Sequence, residues 1–108
     1  MSSASTTVSI QQPFLDRLAT IKEKYEKAKM EQITGDPLTN ITRFEKLKCL
    51  IRLLGRCVRT DAAYDKNDPA WVELMRLILD FCVEVYEFVY DLELSLPSSL
   101  HLPTNLSV

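Results

Sequence analysis

The sequence predicts an all-α fold of three helices, in which an antiparallel helical hairpin is followed by a long third helix. Three observations predict it. Apolar residues recur at steps of three and four through three long segments. Only two glycines occur in 108 residues, which favours long helices over a turn-rich β fold. Each segment is also bounded by residues that start or stop helices.

The first helix is predicted from about Pro13 to Ile33, because proline suits the first helical position. One face carries Phe14, Leu18, Ile21, Tyr25, Ala28 and Gln32. The helix ends before the break Thr34-Gly35-Asp36-Pro37, where a glycine stop precedes a proline. The connection to the next helix is short and polar, which favours an antiparallel hairpin.

The second helix is predicted from about Ile41 to Thr60, with two possible starts. Asn40 can cap it directly, or Thr42 and Glu45 can form a capping box. Both starts place the same apolar residues on one broad side, namely Phe44, Leu47, Leu50, Ile51, Leu54, Cys57 and Val58.

The third helix is predicted from Pro69 to about Leu94, with Asp68 as its N-cap. Its acids form one narrow face, comprising Glu73, Asp80, Glu84, Glu87 and Asp91. Nearly all its other residues are apolar, so the helix has to be covered on more than one side.

A second chain is the covering that we expect for the third helix, because so small a domain buries little surface alone. We therefore predict a homodimer that forms a four-helix-type bundle. Its candidate interface comprises Trp71, Leu74, Ile78, Phe81 and Val85. The alternative is that helix three is the central helix of a three-helix monomer.

The ends of the chain differ from its middle, so we predict a helical domain over 10–94 between a flexible N-terminus (1–9) and a flexible tail (95–108). The N-terminus lacks the basic start and apolar core of a signal peptide. No apolar run reaches the roughly 18 residues of a membrane span. Cys49, Cys57 and Cys82 are expected to be reduced, buried thiols of a cytosolic protein.

Catalytic and metal chemistry find little support in the residue pattern. The single histidine, His101, lies in the predicted tail, and the cysteines lack the spacing of zinc ligands. No glycine-rich phosphate loop occurs. The acids of helix three fit a solvated polar face. We therefore expect a binding protein with no catalytic residues, no metal and no cofactor.

Charge is distributed unevenly along the chain, although the net charge is only −2. Residues 41–60 hold six basic side chains and one acid, whereas residues 61–108 hold two basic side chains and nine acids. The candidate nucleic-acid-binding residues are Arg43, Lys46, Lys48, Arg52, Arg56 and Arg59. The last four lie within about 80° of one another on a helical wheel and nearly opposite the apolar centre. Helix one adds Arg17, Lys24 and Lys27 on one flank of its apolar face.

Phosphates are the natural partners of such a stripe, because the arginine fork suits them. Aromatic residues are not interleaved with the cations, so stacking on single strands is poorly served. Double-stranded RNA is instead recognised by its shape and its backbone. The sequence therefore predicts a binder of double-stranded RNA.

Three short motifs strengthen this prediction: Leu15-Asp16-Arg17, the Asp36-Pro37 break, and Cys49-Leu50-Ile51-Arg52 leading to Arg59. Over residues 8–60 the chain resembles the small RNA-silencing suppressor of insect nodaviruses. The resemblance implies a homodimer with a four-helix core that lies along one face of an RNA duplex. It also implies that Arg52 and Arg59 contact RNA, whereas Lys48 and Arg56 rest on the stripe alone. Helix three departs from the family by being longer, more apolar and more acidic.

The function implied by the resemblance is suppression of antiviral silencing in the host cytoplasm, by shielding double-stranded RNA and small interfering RNA from dicing and loading. The sequence leaves open whether the host dicing nuclease is itself bound. The main alternative is a helical protein–protein adaptor that does not bind nucleic acid. A weaker alternative is a membrane-surface amphipathic helix, and we expect no membrane partner.

Overall fold

The fold was analysed in a computed structural model that describes residues 9–31 and 36–95. This part of the chain holds three α-helices and no β-strand, which confirms the all-α prediction. They are α1 (Gln12–Glu31), α2 (Pro37–Thr60) and α3 (Pro69–Leu94). The predicted end of helix one at Ile33 lies outside the described residues, as do Gly35, His101 and nearly all of both predicted flexible ends.

The start of α2 differs from both predicted starts. Asp36 is the N-cap, since its carboxylate accepts a hydrogen bond from the backbone N–H of Thr39 at 2.9 Å. Pro37 then occupies the first turn, where its missing N–H costs nothing. Asn40 lies inside the helix and is buried, so neither the Asn40 cap nor the Thr42–Glu45 capping box exists.

The same Asp-Pro pair begins α3, and here the prediction is confirmed. The carboxylate of Asp68 accepts a hydrogen bond from the backbone N–H of Ala70 at 2.9 Å, and Pro69 follows in the first turn. The helix continues to Leu94, as the apolar pattern predicted.

The core is assembled around the ring of Tyr25 on α1, which reaches both other helices. Its centroid lies 6.0 Å from the ring of Phe44 on α2, and 5.4 Å and 5.8 Å from the rings of Phe81 and Phe88 on α3. All three pairs are edge-to-face, the arrangement that aromatic quadrupoles favour. Burial raises the pKa of Tyr25 to about 12, and the charges of Glu84 and Glu26 add to this effect.

The predicted dimer residues lie in this core rather than on a surface. Trp71, Leu74, Ile78, Phe81 and Val85 are each at most 4% exposed within the single chain. Trp71, for example, packs against Phe14 of α1 and Tyr64 of the loop before α3. Because α1 and α2 cover these side chains, they are not available to a second chain of this fold. They therefore do not form the predicted dimer interface, and the three-helix alternative covers helix three only in part, because other apolar residues of this helix stay exposed.

The cysteines also correct an expectation. Cys49 and Cys57 are exposed and Cys82 is half-buried, and all three are free thiols. The first two lie on the outer side of α2, where Leu53 is also exposed. The apolar pattern of α2 is thus wider than the face that it buries. In the portion of the chain that is described, no helix has both the length and the apolar character needed to cross a membrane.

Candidate nucleic-acid interface

A groove between α2 and α3 brings three of the predicted arginines together. Arg52, Arg56 and Arg59 form one wall, and Met75, Leu79 and Cys82 are the principal residues of the other. The groove encloses about 460 Å³ and is open to solvent along its length. We call it the arginine groove. From Arg52 to Arg59 it follows about 10 Å of helix at 1.5 Å per residue.

Among the described residues, no carboxylate pairs with these three arginines. Arg52, Arg56 and Arg59 are exposed, and within residues 9–31 and 36–95 none of them forms an ion pair. Burial raises the pKa of the Cys82 thiol, and the positive charges of Arg52 and Lys48 oppose that rise across the groove. The groove therefore presents positive charge beside an apolar wall.

The guanidinium group of Arg59 lies close to Gly55. A Cβ at Gly55 would lie 3.5 Å from Nη1 of Arg59 and 3.8 Å from Cγ2 of Ile78. The side chain of Arg59 thus folds back over the glycine, and α3 approaches α2 closely at the same level. Sequence reasoning overlooked this residue, although a glycine inside an apolar helical pattern is a known sign of close packing.

Lys48 has a different environment from the three arginines. Its side chain is 20% exposed, and its Nζ lies 3.3 Å from Oε2 of Glu45. The same Nζ lies 4.4 Å from the centroid of the Tyr86 ring on α3, which is a cation–π contact. Lys48 therefore bridges the two helices. Its contact with Tyr86 could not be read from the pattern of either helix alone.

The remaining two predicted residues face the opposite side of α2. Arg43 and Lys46 line a second groove with Lys24 and Lys27 of α1. Arg43 is also paired there, with its Nη1 2.6 Å from Oε1 of Glu31. The six candidate residues therefore belong to two surfaces rather than one. Arg17 lies in a third groove between α1 and α2, which Lys24 also lines.

The orientation of the stripe relative to the core also differs from the prediction. At about 100° per residue, the centre of Lys48, Arg52, Arg56 and Arg59 lies roughly 100° from the centre of the buried face of α2. The stripe is therefore a flank directed towards α3 rather than the outermost face of the helix.

The acids of α3 lie on the far side of its exposed apolar residues, away from the arginine groove. Nη2 of Arg76 lies 2.6 Å from Oε2 of Glu73, and its Nη1 lies 2.8 Å from Oδ2 of Asp80. The hydrogen bond from Arg76 holds the pKa of the Glu73 carboxyl below its usual range. For Glu84, Glu87 and Asp91 no ion pair occurs with any other described residue.

In the described segments no three histidine, cysteine or acidic side chains are grouped so as to hold a metal ion. Comparisons of the chain with protein-family models, with curated proteins and with solved structures return no match.

Proposed function

We propose that this protein binds double-stranded RNA without sequence preference, using the arginine groove as its phosphate-binding surface. The observation that carries the proposal is the grouping of Arg52, Arg56 and Arg59, exposed and without carboxylate partners in the described chain, on one rigid helix. Phosphate oxygens supply the negative counter-charge that these guanidinium groups lack, and each planar guanidinium can bind a phosphate through two hydrogen bonds.

A duplex fits this surface better than a single strand. The described walls of the groove carry aliphatic, cysteine and arginine side chains and no aromatic ring on which a base could stack. Duplex RNA offers rows of phosphates and 2′-hydroxyls at its wide minor groove, which proteins recognise through shape. A helix with a fixed row of cations can follow such a surface without reading bases.

The biological role that we propose is suppression of RNA silencing in the host cytoplasm. A protein that covers double-stranded RNA and small interfering RNA would keep them from the dicing nuclease and from loading. This part of the proposal rests on the resemblance of residues 8–60 to the nodavirus suppressors. It describes a binding protein and not an enzyme. Self-association belongs to the proposal as well, but through residues other than the predicted interface.

A gel-shift experiment with the full chain tests the proposal. It compares duplex RNA, single-stranded RNA and duplex DNA at one salt concentration. We expect duplex RNA to be retarded most, and Arg59→Gln to weaken its binding about tenfold, since a charge-assisted contact contributes roughly 1.5 kcal/mol or more. Lys66→Gln removes the same charge from the exposed loop before α3 and should bind as the wild type does. Equal affinity of wild type and Arg59→Gln would refute the proposal.

The second candidate function is a protein–protein adaptor. It is favoured by the exposed apolar side chains beside the groove, among them Leu53 and Leu79, which are both 54% exposed. An adaptor would form a stable complex with another protein and would leave an RNA duplex unretarded in the same assay.

A further inference from the structure

The outward side of α3 carries a line of apolar side chains that is interrupted by Arg76 between its first two members, and we call these apolar residues the outer stripe. It consists of Val72, Leu79, Val83, Tyr86 and Tyr90. Val72, Leu79, Val83 and Tyr90 are 49%, 54%, 56% and 62% exposed. At about 100° per residue the five lie within roughly 60°, along about 27 Å of helix. A row of exposed apolar side chains of this length indicates an interaction site.

The two flanks of the outer stripe carry opposite charge. On one side lie Arg52, Arg56 and Arg59 of α2, next to Met75 and Cys82 of α3. On the other side lies the acid flank of α3, which borders α1, since Lys22 and Lys29 of α1 lie over the rings of Phe81 and Phe88. The acid flank comprises Glu73, Asp80, Glu84, Glu87 and Asp91.

We infer that the outer stripe binds a second copy of the same chain, with a two-fold axis parallel to α3. A two-fold contact uses the same patch on both copies. Rotation about an axis along the helix places each acid flank against the arginine groove of the other copy. An axis in the interface but perpendicular to the helix would instead place acids against acids and arginines against arginines. Charge complementarity therefore selects the parallel pair.

The level of the charges along the helices supports this pairing. Because α2 runs antiparallel to α3, Lys48 lies at the level of Tyr86 and Arg52 close to Cys82. In a parallel pair each residue of the partner's α3 lies at the same height along the two-fold axis as its counterpart in the first chain. The partner's Glu84 and Glu87, which lack ion pairs in the described chain, would thus meet Lys48 and Arg52.

A regulatory consequence follows, which rests on the proposed function. The partner's acid flank would lie beside the arginine groove, where its Glu84 and Glu87 would compete with the phosphates of an RNA duplex for Arg52, so pairing through the outer stripe opposes RNA binding. The pair is then a storage form that RNA dissociates. This departs from the arrangement implied by the resemblance, in which a dimer lies along the duplex.

Sedimentation of the RNA-free protein tests the pairing. We expect wild-type protein to sediment as a dimer and the double variant Val83→Ser, Tyr90→Ser to sediment as a monomer with unchanged helical content. Met30→Ser is the matched control, because Met30 is 77% exposed on α1 and lies off the stripe. A wild-type monomer, or a dimer that survives the double substitution, would overturn the inference.

Cross-linking tests the orientation in a chain whose native cysteines are replaced by serine. A parallel axis places each residue of the stripe near its own copy, so Val72→Cys and Tyr90→Cys should each form disulfide-linked dimers alone. If cross-links form only when the two variants are mixed, the chains are antiparallel and the assignment of the acid flank to the arginine groove is wrong.

Titration with duplex RNA tests the competition. We expect RNA to convert wild-type dimers into complexes of single chains, and the double serine variant to bind RNA at least as tightly as wild type. If the folded monomeric variant loses RNA binding that the wild type has, the competition is refuted. If neither binds RNA, the proposed function and the competition both fail, while the sedimentation result alone decides the pairing.

Discussion

The ammonium group of Lys48 lies 4.4 Å from the centre of the Tyr86 ring, so the predicted RNA-binding stripe begins with a cation that is already engaged within the fold. Its Nζ also lies 3.3 Å from a carboxylate oxygen of Glu45. Lys48→Gln should therefore cost about 0.5–1 kcal/mol of folding stability, since it removes a cation–π contact at a partly exposed site.

The same variant should weaken binding of duplex RNA less than Arg59→Gln does. Chemical denaturation and a gel shift on both variants measure the two effects. A loss of RNA affinity as large as that of Arg59→Gln, without a loss of stability, would place Lys48 in the phosphate-binding set instead.

The three arginines of the groove should each contribute to the salt dependence of RNA binding. Each phosphate contact releases condensed counterions, so removing one cation should lower the slope of log K against log salt by about one. We expect this for Arg52→Gln, Arg56→Gln and Arg59→Gln, measured by gel shift across a salt series. Lys66→Gln is the control and should leave the slope unchanged. An unaltered slope for all three arginine variants would exclude the groove as the contact surface.

Gly55 offers a way to stabilise the protein. An added Cβ would meet its nearest neighbours at 3.5 Å and 3.8 Å, which are ordinary contact distances. Gly55→Ala should therefore gain about 0.5–1 kcal/mol from helix propensity, seen as a higher denaturation midpoint. Gly55→Val should lose stability relative to Gly55→Ala, because its extra methyl groups have to displace Arg59 or Ile78. A destabilised alanine variant would show that α2 and α3 pack more tightly at this level.

Tyr25 predicts a pH dependence of stability. Its pKa is raised to about 12 in the folded chain, above the ordinary value of 10.0. Between these two pH values the unfolded chain releases the proton while the folded chain retains it, so the free energy of unfolding falls as pH rises through this window. Tyr25→Phe should lose that decline between pH 10 and 12. Phenolate absorbance should show a late step that the variant lacks, and an identical titration of both proteins would contradict the assignment.

The N-cap of α2 distinguishes two interpretations of the same sequence. Asp36→Ala should cost about 1 kcal/mol, because it leaves the N–H of Thr39 without its carboxylate partner. Thr42→Ala should stay within about 0.5 kcal/mol, as for other exposed positions without a special role. Thermal denaturation decides between them. A larger cost at Thr42 would restore the capping box that the sequence suggested.

The starts of α2 and α3 show how well local sequence signals predict helix boundaries. The pair Asp68-Pro69 predicts an N-cap and a first helical residue, and α3 begins there. The glycine before Asp36-Pro37 favours a break at this pair, yet the pair caps α2 in the same manner. Both pairs carry the same local chemistry. The surrounding residues, rather than the pair, led to the wrong boundary.

The candidate site was predictable in composition but not in its surroundings. Helical periodicity groups Lys48, Arg52, Arg56 and Arg59 on one helix face, and in the structure the three arginines line one groove. The pattern predicts that face to lie opposite the core because it includes Leu50 and Cys57 in the buried side, whereas both residues are exposed. Which flank meets α3 depends on packing between helices that are distant in sequence. For this reason neither Tyr86 nor the wall of Met75, Leu79 and Cys82 could be foreseen.

The aromatic rings that surround Tyr25 in the core have an evolutionary consequence. The ring of Tyr25 holds α2 and α3 from the side opposite Arg52, Arg56 and Arg59, so the spacing of the two helices does not depend on those cations. Substitutions can therefore change the charged residues of this face one at a time while the fold is retained. A lineage under changing pressure could alter what the face recognises much faster than it alters the fold.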